Sequence, residues 1–294
     1  MCDEETEQDS DEYLSKRATI SRRDFNVLAA GVAASFMLPR MAYAVEVVGA
    51  DVNVTTSDGV ADCFFVHPAS GKHPGVLVWP DIKGLRPAFR QMATRLAESG
   101  YSVLVVNPFY RNAKSPVVEA GDDFSNPEVR ARIMPYYRAL SAETHVSDAK
   151  AFVGFLDQQA AVDTSKKLGT TGYCMGGPMV MRTAGSLPER IGAGATFHGG
   201  GLVTEDPSSP HLLIPNMKAD FLIAIAENDD KKEPDVKNVL RKSFDKAGLA
   251  AEIEVYEDSM HGWCPPDSRV YNEVQAERAW SRLLALFDKA LKVG

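Results

Sequence analysis

Short apolar runs alternate with amphipathic helical stretches along most of this chain, and that alternation restricts the fold more than any other feature. Gly75–Trp79 (GVLVW), Tyr101–Val106, Leu168–Tyr173, Ala193–Phe197, Phe221–Ala226 (FLIAIA) and Ala251–Tyr256 read as strands, several of them apolar enough to be buried on both faces. Between them lie helical patterns over Pro87–Ser99, stopped by Gly100, over Pro127–Gln158 as two helices, over Gly176–Ser186 and over Asp235–Ala247. Asn272–Leu291 closes the series, with Ala276, Trp280, Leu283, Leu284, Phe287 and Leu291 on one stripe. Ahead of them, residues 45–56 alternate apolar and polar and can pair with Val60–His67. Strands alternating with helices predict an α/β fold, a mainly parallel central sheet flanked by helices. No repeat or low-complexity linker interrupts residues 45–294, which read as one domain.

Composition narrows the function. The chain has 294 residues with 32 Lys and Arg against 40 Asp and Glu, a net charge of −8 and no basic stripe, which speaks against a nucleic-acid partner. Its four cysteines, at 2, 63, 174 and 264, show no C-x-x-C spacing, so neither a disulfide scaffold nor a structural zinc site is expected. No H-E-x-x-H, no phosphate-binding loop and no G-x-G-x-x-G after a strand occurs, and we expect no metal and no nucleotide cofactor.

Residues 1–44 read as an address. Val27–Leu38 is an apolar run of 12 residues, short of the roughly 20 that a spanning helix needs. Arg22-Arg23-Asp24-Phe25 precedes it and Ala42-Tyr43-Ala44 follows, the parts of an export signal, and the Arg pair resembles a twin-arginine signal. The run has no polar face, which fits an amphipathic helix poorly. Residues 1–20 carry seven acids and two bases and read as a disordered leader. Cleavage after Ala44 would leave a mature chain of 250 residues with 32 acids and 27 bases, a charge of −5, and no stable membrane span. The expectation is a periplasmic or secreted protein delivered by the twin-arginine export machinery.

Gly172-Tyr173-Cys174-Met175-Gly176-Gly177 stands between a predicted strand and a predicted helix. A nucleophile on such a turn needs small neighbours, and the following helix N-terminus favours a thiolate. A buried structural cysteine beside glycine turns is the alternative. Asp229 and Asp230 follow the FLIAIA strand, and His261 follows the 251–256 strand. Nucleophile, acid and His therefore occur in the order of the α/β-hydrolase plan, each after a strand end, where ligands bind in open α/β sheets. His198, after Phe197, reads first as a hydrogen-bonded residue of a glycine-rich loop, with a place in the site wall as the alternative. Cys63 and Cys264 read as structural.

With these motifs, the Ala226-Glu227-Asn228-Asp229-Asp230 and His261-Gly262-Trp263 stretches, Asp81-Ile82-Lys83-Gly84-Leu85 and Asn107–Arg111, residues 60–291 resemble the dienelactone hydrolase family. The resemblance implies an α/β-hydrolase fold and cleavage of a small-molecule ester or lactone. Cys174 would be the nucleophile, His261 the base and acid, and Asp229, three residues after Ala226, the partner of His261. The backbone N–H groups of Ile82 and Met175 would form an oxyanion hole. Asp81 stands where the family has a Glu that takes part in activating the Cys. The family's substrate-binding Arg after the His corresponds here to Pro265, and its other Arg lies nearest Arg111. Lys83, Arg130, Arg132, Arg269 and Trp263 are further candidates for substrate contact. A broad carboxylesterase or thioesterase with the same residues, and a non-catalytic binding protein on this scaffold, are the rival readings.

Overall fold

A computed structural model of the chain describes residues 5–16, 45–119 and 121–292. The Arg22–Arg23 pair, the apolar run 27–38, the Ala42–Ala44 end of the signal and Cys2 lie outside the described residues. Strands β1 (Val47–Thr56) and β2 (Gly59–Pro68) form an antiparallel hairpin in which Val52 pairs with Cys63. Strand β2 also runs antiparallel to β4 (Ser102–Val106). From there β4, β3 (Gly75–Trp79), β5 (Leu168–Tyr173), β6 (Ile191–Phe197), β7 (Asp220–Ala226) and β8 (Ala251–Tyr256) are all parallel, completing an eight-stranded sheet of order 1-2-4-3-5-6-7-8. This is the α/β-hydrolase fold.

The two faces of the sheet are covered by different helices, because each strand of the parallel part buries residues on both sides. Phe89 and Leu96 of α2 (Pro87–Glu98) and Leu283 and Phe287 of α8 (Glu273–Phe287) pack with Val76, Val103 and Leu222 on one face. Phe152 and Leu156 of α4 (Ala142–Asp157), Val180 and Ala184 of α5 (Gly176–Ser186) and Leu240 and Phe244 of α7 (Val236–Ala247) pack with Leu77, Leu168 and Ile223 on the other. Helix α3 (Pro127–Arg138) starts on Asn126, whose side chain accepts the Glu128 N–H, and α4 starts on a Ser141–Thr144 capping box. These caps divide the 127–158 pattern into two helices.

Two elements depart from the sequence reading. Asp229, which the sequence placed only after a strand end, sits in the first turn of a short helix, α6 (Glu227–Lys232). The acidic leader, expected to be disordered, carries helix α1 over residues 5–16. So short a helix is marginal on its own, and α1 is supported by docking. Glu7 and Asp11 both pair with Arg269, Tyr13 donates to the Asp258 carbonyl at 3.1 Å, and Thr6 and Ser10 are buried. A charge balance computed along the chain does not see cations that lie more than 200 residues away.

Candidate active site

The parallel strands present Asp81 and Ile82, Cys174, His198, Asp229 and His261 from the C-terminal ends of β3, β5, β6, β7 and β8, five neighbours in the sheet. Cys174 takes a left-handed backbone, φ 54°, at the turn from β5 into α5. For a non-glycine residue this conformation is strained and is held by its surroundings. The Cys174 N–H donates to the Phe197 carbonyl at 3.0 Å, and the Gly177 N–H to the Cys174 carbonyl at 3.1 Å. The glycines permit close approach: a Cβ on Gly172 would lie 2.4 Å from the Gly176 carbonyl oxygen, and one on Gly176 would lie 2.4 Å from that of Trp79. The tight turn thus explains both glycines and the placement of the sulfur at the N-terminus of α5.

His261 is buried and is fixed from two sides. Its N–H donates to Asn228 Oδ1 at 2.8 Å, and its ring Nδ1 lies 2.8 and 3.0 Å from the two carboxylate oxygens of Asp229. The same loop is tied to α6 by Glu227, whose N–H donates to the Ser259 carbonyl and whose carboxylate accepts the Asp258 N–H. The ring also hydrogen-bonds the Cys174 side chain. Burial alone would lower the His261 pKa, but the Asp229 carboxylate and the Cys174 sulfur outweigh it and raise the value to about 10. A group raised in this way stabilises the fold fully below its ordinary value of 6.5, and that contribution is lost as pH climbs through about 10. A cation beside the sulfur in turn favours the thiolate. Asp230, the other acid in the motif, turns away and pairs with Lys237 at 2.6 Å.

His198 lines the same cleft, and neither of its ring nitrogens has a hydrogen-bond partner. The expected hydrogen-bonded loop residue is therefore not what the structure shows. Burial, with the charge on His261 added, pushes its pKa well below 6.5, so the ring is neutral. It stands edge-on to His261 with centroids 5.0 Å apart. Ile82 and Met175 also border Cys174, and the N–H of neither donates to another described residue.

The cleft of about 1060 Å³ also holds Asp81, Lys83, Arg86 and Arg269. Asp81 is not available to switch Cys174: its oxygens accept from Arg86 at 2.6 and 2.9 Å, and Oδ1 also accepts the Lys83 N–H. Arg86, absent from the sequence candidates, is buried and pairs a second time with Asp267 at 2.6 Å, which locks the turn after β3 onto the loop after His261. Arg86→Met would leave Asp81 buried without its counter-charge. We expect a loss of about 3–5 kcal/mol, read as a lowered midpoint in urea unfolding, and a loss under about 1 kcal/mol would contradict the pairing argument.

The proposed substrate contacts separate. Lys83 faces the cleft and lies 3.6 Å from Asp267, and Arg269 faces it while held by Glu7 and Asp11 of α1. Arg130 borders a second pocket instead. Arg111 does not reach either space: it is pinned by Asp58 and Asp148 at 2.6 and 2.7 Å and lies over the Tyr110 ring. Arg132 is not in the cleft lining, though it pairs with Asp122, which is. Trp263 is a core residue, fully buried and stacked on Tyr256. Cys63 and Cys264 are buried, and burial raises both thiols, Cys63 to about 12. Among the described residues no cluster of three or more His, Cys, Asp or Glu is placed to hold a metal ion, and no helix is long and apolar enough to cross a membrane.

Comparison with known proteins agrees with this architecture. Carboxymethylenebutenolidase of Rhodococcus opacus is 23% identical over 235 residues, covering 78% of this chain and 87% of that protein. Protein usf of Aquifex pyrophilus is 26% identical over 222 residues, covering 74% of this chain and 89% of that protein. The solved structure of a dienelactone hydrolase-like promiscuous phosphotriesterase from metagenomic libraries superposes with a TM-score of 0.68 at 21% identity, over 83% of this chain and 99% of that one, a likeness of fold. Residues 61–291 match the dienelactone hydrolase family as a whole, and the chain, a hydrolase by that match, belongs to this family.

Proposed function

We propose that the chain cleaves a carboxylic ester or lactone through a thioester on Cys174. The observation that carries this reading is the continuous series Cys174–His261–Asp229, in which a strained turn holds the sulfur beside a ring whose other nitrogen faces a carboxylate. The Cys174 thiolate adds to the carbonyl carbon, forming a C–S bond and pushing the carbonyl electron pair onto oxygen. The N–H groups of Ile82 and Met175 are the donors available for that oxyanion. Collapse breaks the C–O bond, and the His261 imidazolium gives its proton to the departing alkoxide. Water then attacks the thioester while neutral His261 takes its proton, releasing the acid and restoring thiolate and imidazolium. Asp229 fixes the tautomer and balances the cation.

A broad esterase or thioesterase would use the same residues, and substrate choice distinguishes the two. Assay of the full chain on a dienelactone and on small activated esters is the test. Turnover of the lactone supports the family-typical reaction, turnover of simple esters alone supports the broader one, and turnover of neither overturns the proposal.

Residues 1–44 we read as a twin-arginine export leader, supported by Arg22-Arg23-Asp24-Phe25, the apolar run and the Ala42-Tyr43-Ala44 end. Such a route moves folded proteins, so Cys174 would be housed before meeting an oxidising compartment. Fractionation of cells producing the full chain is expected to show a shortened protein beginning at Val45 outside the cytoplasm, whereas uncleaved protein in the cytoplasm would remove the reading.

A further inference from the structure

Cys174 lies between two spaces of opposite character. The larger cleft is rich in carboxylates. The second pocket, about 460 Å³, also reaches Cys174 and takes in Met175, and no Asp or Glu lines it. Three arginines do, Arg130, Arg138 and Arg182, in a chain whose net charge is −8. Its remaining wall is largely apolar, with Ile82, Met134, Tyr137 and Met179.

Arg182, on α5 eight residues after Cys174, is the informative residue. It makes no ion pair among the described residues, and its Nε is buried without a hydrogen-bond partner. One terminal nitrogen donates to the Ser208 carbonyl at 3.1 Å, and the other lies 3.1 Å from Nδ1 of His145. Burial, then the charges of Arg182 and Arg111, lower the His145 pKa to about 3, so that ring is neutral. With a guanidinium facing Nδ1, that nitrogen is the acceptor and Nε2 carries the hydrogen. Nε2 of His145 is also buried and without a partner. Two N–H donors, one of them on a cation, are thus left unpaired beside an apolar pocket. Unpaired buried donors are costly unless a ligand completes them.

We propose that this pocket binds the carboxylate-bearing arm of the substrate, with Arg182 as its counter-charge, His145 as a second donor and Arg138 at the rim. This rests on the reading of Cys174 as nucleophile and adds which end of the substrate is selected and by what. The site differs from the positions implied by family resemblance, since Arg111 is spent on Asp58 and Asp148 and Pro265 has no charge.

The test need not depend on hydrolysis. Alkylation of Cys174 in the full chain by iodoacetamide, followed at the Cys174 peptide by mass spectrometry, is measured with 4-phenylbutyrate or its uncharged amide present. The carboxylate is expected to protect with roughly tenfold higher affinity than the amide, the effect of one charge-assisted hydrogen bond, and to lose that advantage in high salt. Arg182→Met should abolish the difference, and Arg182→Lys, which keeps a cation and guards against a misfolded Met variant, should retain part of it. Equal protection by acid and amide, or protection unchanged in both Arg182 variants, overturns the proposal. Either outcome is readable whether or not esters are hydrolysed. If they are, the preference for an ester with a carboxylate on its acyl arm over its neutral analogue should fall about tenfold in Arg182→Met.

Discussion

Cys174→Ala is expected to lower kcat/KM on an activated ester by roughly 10⁴-fold or more, because the covalent route has no other group to carry it. The substitution should cost little stability. It removes one sulfur from a position whose backbone is fixed by neighbouring hydrogen bonds and by the glycines on either side, and alanine tolerates φ 54° no better and no worse than cysteine. Unfolding in urea therefore separates loss of chemistry from loss of fold. The two remaining described cysteines are buried, with thiols that burial keeps protonated, so neither can take over the role. Residual turnover within tenfold of the parent chain would mean that the nucleophile is elsewhere.

Asp229→Asn carries the second large effect, and its sign follows from the balance of forces on His261. Burial lowers the affinity of that ring for a proton, and Asp229 together with Cys174 restores and exceeds it. An amide keeps the size of the carboxylate but not its charge, and it can turn an NH₂ group toward the ring. The imidazolium is then lost at a lower pH, and with it the partner of the thiolate. We expect a fall of about 10³–10⁴ in kcat/KM and slower alkylation of Cys174 near neutral pH. In stability, the parent chain should exceed the variant most at about pH 6, with the difference shrinking as pH rises through about 10. Asp230→Asn should do none of this, because Asp230 faces Lys237. Equal effects of the two substitutions would contradict the geometry.

The sheet was legible because its strands are buried on both faces and so appear as uninterrupted apolar runs. Leu168–Tyr173, Gly176–Ser186 and Ala251–Tyr256 are found where the sequence places them. The turn at Cys174 was legible for a related reason: close backbone approach leaves room only for glycine, and glycines in a row are visible. What escaped was everything made by pairing across the chain. Arg86, Arg182 and Arg269 look alike as letters. One bridges two carboxylates within the cleft, one is left without an ion pair in a pocket, and one holds the leader helix. Arg111 sits where resemblance suggested a ligand contact, yet Asp58 on the hairpin turn and Asp148 on α4 absorb its charge. His198 was read as an ordinary loop residue because nothing in the sequence says that its ring would be buried without partners.

Catalysis through Cys174 requires a transient acyl group on its sulfur. Enzyme in excess over a 4-nitrophenyl ester, quenched in acid within a single turnover and digested, allows each peptide to be weighed. The acyl mass is expected on the peptide containing Cys174, rising and then decaying as the free acid appears. Product formation with the acyl group on another residue, or with Cys174 unmodified at every time point, would contradict it.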